Sequence, residues 1–139
     1  MMDATMEAKW RRQRRRAIIF LYIAFGLAGA RAGFLAGLPE SRLSVGLVAR
    51  TYLLVALLCS LGSMWFCTLD SRLLGKPIIQ LAKLGIFLLW PVGVPAYLLW
   101  ARRLRGLGLL LLHGCVVCLT VLATAIVTAS LLYGFDVLF

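Results

Sequence analysis

Apolar and polar positions along this chain fall in long blocks rather than in the short alternation of a half-buried strand or the narrow stripe of a surface helix. Four apolar runs, at about 17–38, 45–68, 77–101 and 107–133, are separated by brief polar stretches. About 20 apolar residues suffice to carry a helix across roughly 30 Å of hydrocarbon. In lipid every backbone N–H and C=O must be paired within the chain, so such blocks predict helices. The expected architecture is an all-α integral membrane protein: residues 1–16 form a basic cytoplasmic N-terminal extension and residues 17–139 a single membrane domain.

Breaker residues set the joins. Pro39 cannot continue the first run, and the loop from Pro39 to Ser44 is short enough to make the first two runs antiparallel neighbours. Leu69-Asp70-Ser71-Arg72-Leu73-Leu74-Gly75-Lys76-Pro77 reads as the polar linker to the third run, with Pro77 suited to a first helical turn.

The third run is the one that divides two topologies. It contains Lys83 to Arg102, KLGIFLLWPVGVPAYLLWAR, interrupted by Trp90, Pro91, Gly93 and Pro95. Either it is a re-entrant hairpin with its tip at Trp90 to Pro95, giving three transmembrane helices plus a returning segment, or it is a proline-kinked fourth span. Positive charge favours the hairpin. With the N-terminus inside, a fourth span leaves Arg102, Arg103 and Arg105 outside with Arg42 and Arg50; a hairpin leaves only Arg42 and Arg50 there. The arms are long enough, because Pro77 to Trp90 reaches about 21 Å and Pro91 to Ala101 returns about 16 Å at 1.5 Å per residue. The hairpin puts the C-terminus at Phe139 outside; the kinked span returns it inside.

Composition agrees with the class. Hydrophobic residues make up 63% of the 139, the mean hydropathy is +0.97, and Lys and Arg outnumber Asp and Glu by 15 to 5. A soluble core of this length cannot hide so much apolar surface. The charge clusters at the ends of apolar runs, which points to anionic lipid headgroups rather than nucleic acid. Lys9, Arg11, Arg12, Arg14, Arg15 and Arg16 are the headgroup candidates. The apolar run behind them exceeds the 7–15 residues of a signal-peptide core, so it reads as a retained anchor. The expected location is a bacterial inner membrane with the N-terminus cytoplasmic.

The first run also carries small residues at helical spacing: Ala24, Ala28, Ala32 and Ala36 on one ridge, Gly29, Gly33 and Gly37 on the next. Lipid tails give helices no hydrophobic reason to associate, so close approach across small residues is what holds them together. These positions predict a tight helix contact, with an internal neighbour or another chain. Arg31 interrupts this run. It can snorkel to the nearer interface or pair with a buried acid, and the first reading is preferred.

Candidate chemistry is sparse. His113, the one histidine, sits inside the last run, and its imidazole could ligate a haem or a chlorophyll-type pigment; packing is the simpler role. Cys115 and Cys118 form a C-x-x-C, with Cys59 and Cys67 on the second run. Dithiol exchange needs thiolates near water, whereas all four lie in apolar runs, so they read as packing residues. No catalytic residues, metal ligands, paired carboxylates or phosphate loop emerge, and no enzyme activity is expected. The chain reads as a small non-catalytic subunit that stabilises or helps assemble a larger membrane complex, of an energy-converting kind (photosynthetic or respiratory), with other membrane subunits and anionic lipids as partners. A pigment- or haem-binding subunit using His113, and a small oligomeric channel or transporter, are the alternatives.

Overall fold

The computed structural model describes residues 4–39 and 44–134, and among these every regular element is a helix. They are α1 (Ala4–Ala36), α2 (Val45–Leu73), α3 (Gln80–Leu88), α4 (Trp90–Arg102) and α5 (Leu104–Tyr133). Three of them, α1, α2 and α5, are long and apolar enough to cross a membrane. At 1.5 Å per residue each is about 45–50 Å long, more than the hydrocarbon layer requires. Lys9 to Arg16 of the basic extension are turns of α1, continuous with the apolar run that follows.

Local signals explain the ends of α2. Ser44 caps its start, accepting a hydrogen bond from the Leu47 N–H at 3.2 Å. Its last turn reaches past the apolar run to Leu73, where Gly75 takes φ +65°. The Gly75 N–H then donates to the Arg72 carbonyl and the Lys76 N–H to the Ser71 carbonyl, closing the helix in a Schellman arrangement ahead of Pro77. Residues 69–73, expected as linker, are therefore helical. The difference matters because Asp70 lies among them and is completely buried.

α2 runs antiparallel to α1: Arg31 reaches Thr51 near one end, Phe20 stacks on Trp65 in the middle, and Arg14 meets Asp70 at the other. α5 runs parallel to α1, as successive contacts of Tyr22 with His113, Gly29 with Val121 and Gly37 with Tyr133 show. α1 thus lies between α2 and α5, whose backbones stay apart, and α4 packs against both of them with α3 beside it on α2.

α5 runs with α1 and against α2, so the chain reverses an odd number of times between α2 and α5: once ahead of α3, once between α3 and α4, and once ahead of α5. Leu89, at φ −117° and ψ 41°, breaks the helix after Leu88. A Cβ on Gly93 would lie 2.9 Å from the Ile86 Cα. Residues seven apart in a straight helix are separated by about 10.5 Å, so α3 and α4 fold back on each other. The Lys76 ammonium over the Trp100 ring, 5.9 Å from its centroid, shows that α4 ends near where α3 begins. A third reversal follows at Arg103, whose φ is +52°, with Gly106 seated against the Leu98 carbonyl.

The break falls one residue ahead of the Trp90–Pro95 segment, which forms the opening of α4 instead of the turn itself. Proline in a first turn gives up only an N–H that has no helical partner there, so Pro91 starts a helix at little cost. Pro95 is inside α4 and forgoes the bond to the Pro91 carbonyl.

Candidate functional site

Asp70 is the only acidic residue between positions 41 and 135, and its carboxylate is fully buried. Arg102, in the last turn of α4, holds both oxygens: Nη2 donates to Oδ1 at 2.7 Å and Nε to Oδ2 at 3.2 Å. The Tyr97 hydroxyl, more than a turn earlier, donates to Oδ2 at 3.1 Å. Arg14 of α1 brings its Nε to 3.0 Å from Oδ1, yet that N–H makes no hydrogen bond and is buried. The contact is coulombic in distance without being aimed, and Arg14 also lies over the Phe66 ring at 5.7 Å. Hydrogen bonding to Asp70 raises the Arg102 guanidinium above its ordinary value, which keeps it charged. One carboxylate thus joins α1, α2 and α4.

Around this junction the core is densest. Ala17, Phe66, Cys67, Leu69, Ile86, Tyr97, Leu98 and Ala101 pack together at the end of the molecule that carries the N-terminal arginines. Arg72 lies over Trp10 and Lys76 over Trp100, each at 5.9 Å. Tryptophan paired with basic residues is the composition of a membrane–water boundary, and here it rings one end of the helices.

Deeper along α1 and α5 is a cavity of about 380 Å³. Tyr22 and Phe25 of α1, Phe66 of α2, Trp90 and Pro91 of α4 and His113 of α5 are among its walls. Trp90 meets Phe25 at 5.6 Å between ring centroids, so the start of α4 rests on an aromatic position of α1 rather than on its small-residue ridge. The Tyr22 hydroxyl and His113 Nδ1 share a hydrogen bond of 2.5 Å. Ligation of a haem or pigment by His113 would therefore have to use Nε2.

The small-residue ridges divide. Gly29 and Gly33 are buried against the Val121 and Ala125 carbonyls of α5, and Gly37, partly buried, lies against the Tyr133 ring, whose hydroxyl donates to the Phe34 carbonyl at 2.8 Å. On the alanine ridge Ala24 is buried and Ala28 partly so, while Ala32 and Ala36 are exposed. Of the basic cluster, Lys9, Arg12, Arg15 and Arg16 are exposed, Arg11 pairs with Glu7, and Arg14 is committed to Asp70.

Arg31 pairs with no acid among the described residues and is held by α2 instead. Its Nε donates to Thr51 Oγ1 at 2.9 Å and Nη2 to the Val48 carbonyl at 3.1 Å, in the first turns of α2. The four cysteines are free thiols, Cys59 and Cys67 buried, Cys115 and Cys118 exposed on α5. Among the described residues no group of His, Cys, Asp and Glu is placed to hold a metal ion.

The sequence reading missed the Asp70 junction, and the signal it had was the isolation of that acid among so many arginines. No known protein family matches the chain, and no curated protein or solved structure does either.

Proposed function

We propose that this chain is a small non-catalytic subunit of a larger membrane complex, which it stabilises or helps to assemble, in an energy-converting membrane of the bacterial inner-membrane type. The supporting observation is α5. This 30-residue apolar helix buries only Gly106 and Ala129; it packs on α1 and α4, and much of the rest of its apolar surface is open. With Ala32 and Ala36 of α1 also left open, the uncovered surface of α5 offers an apolar helical face to another subunit.

In this reading α1, α2 and α5 cross the bilayer and α3 with α4 forms a re-entrant hairpin. The N-terminus and both ends of the hairpin are cytoplasmic, where the exposed arginines of α1 meet anionic headgroups at about 1 kcal/mol each. The parallel course of α1 and α5 and the ion pairs from Asp70 to Arg14 and Arg102 support it. An α3 of nine residues is too short to span, and at the turn that follows it Trp90 rests on Phe25 of α1 while Leu88 and Leu89 are exposed.

Purification of the native chain in mild detergent tests the reading. A stoichiometric partner subunit is the expected result. A chain that runs alone at native expression levels overturns it.

A further inference from the structure

We propose that the cavity between α1, α4 and α5 binds a flat lipophilic carbonyl compound of the quinone class, held at Tyr22 and His113. The inference needs the cavity alone and stands apart from the accessory-subunit reading. Size is the first argument: about 380 Å³ lies within the roughly 300–1,000 Å³ range of small-molecule sites. Shape is the second. Rings make up much of the walls, with Phe25 and Trp90 tilted at 60° to each other and 5.6 Å apart, Phe66 nearby, and the rigid rings of Pro91 and Pro95 at the start of α4. Flat walls suit a flat ring better than a disordered chain.

Polarity is the third argument and the one that selects the ligand. The lining is almost wholly apolar, and its principal polar feature is the Tyr22–His113 pair. That pair is not self-satisfied. When the Tyr22 hydroxyl donates to Nδ1, the imidazole proton sits on Nε2; when Nδ1–H donates to the Tyr22 oxygen, the hydroxyl proton is left over. In either arrangement one donor has no partner among the described residues. A donor facing hydrocarbon without an acceptor costs about 1–3 kcal/mol, so the wall favours a guest that brings a carbonyl oxygen. A saturated acyl chain brings none. Counting from Arg16, Tyr22 is about 9 Å along α1, which places the pair inside the apolar layer where only a membrane-soluble ligand arrives. Pro91, Gly114 and Cys118 on the lining are exposed, so the site has a lateral mouth.

Trp90 reports on occupancy. The full chain with Trp10, Trp65 and Trp100 replaced by Phe, checked for a retained cooperative melt, is placed in phosphatidylcholine nanodiscs and titrated with a short-tailed benzoquinone. Saturable quenching of Trp90 is expected. In the Tyr22→Phe/His113→Leu variant the half-saturation point should rise about tenfold, the loss of one buried hydrogen bond. Gly114→Leu, at a position where an added Cβ meets nothing within 4 Å, should abolish saturation while leaving the fold and the polar pair intact. Quenching that climbs without saturating, equally in all three proteins, is partitioning into lipid and overturns the proposal. So does quenching of Trp90 by a phospholipid with brominated acyl chains that the benzoquinone does not displace, because the cavity then holds an ordinary lipid tail.

Discussion

Asp70 and Arg102 stand 32 positions apart, yet the guanidinium grips both carboxylate oxygens, Nη2 on Oδ1 at 2.7 Å and Nε on Oδ2 at 3.2 Å. The contact pins the end of α4 to the end of α2. Because Arg14 faces the same carboxylate from α1, the start of one long helix, the end of another and the start of α5 share one level.

Removing the shared anion leaves two guanidinium groups without their counter-charge, and breaking a buried pair from one side costs about 3–5 kcal/mol. Asp70→Asn is therefore expected to lower the thermal midpoint in detergent well beyond Arg102→Lys, which keeps a charge but loses the fork. Equal melting of wild type and Asp70→Asn would show that the junction is dispensable.

The contact of α1 with α5 makes a sharper steric prediction. A Cβ at Gly33 would collide with the Ala125 carbonyl, and one at Gly29 with that of Val121. Gly33→Ala should cost about 1–3 kcal/mol through forced separation of the helices, despite the better helix propensity of alanine. Gly114→Ala, where nothing lies within 4 Å, should be neutral or slightly stabilising. Denaturant titration of the two variants side by side decides it.

Arg31 is held by a hydroxyl and a carbonyl rather than by an acid. Thr51→Val removes one of these acceptors and should cost about 0.6 kcal/mol, the size of an average side-chain hydrogen bond between membrane helices. A cost indistinguishable from zero would mean that another partner holds Arg31 instead.

The spans were legible in the sequence because membrane thickness imposes a block length that composition cannot disguise. The glycine ridge was legible for a related reason: Gly29, Gly33 and Gly37 have few uses in lipid other than close approach, and α5 uses all three. The position of the turn was less so. Pro91 and Pro95 look like the interruption, but proline is tolerated in an opening turn, so the break moved ahead to Leu89, which carries no breaker signature. Asp70 was hidden by its neighbours. Read beside Ser71, Arg72 and Gly75 it resembles a loop residue, and only the Schellman closure at Gly75 extends α2 far enough to bury it. The Tyr22–His113 pair joins helices 91 residues apart in sequence, a distance at which spacing carries no information.

The central claim is that the third apolar segment returns to the side it came from, so that α5 runs parallel to α1. Single cysteines at Arg103 and at Phe139, the latter outside the described residues, in a chain stripped of Cys59, Cys67, Cys115 and Cys118, can be tested with an impermeant thiol reagent on intact cells. The account predicts labelling at position 139 and protection at position 103. Labelling at 103 with protection at 139 would contradict it.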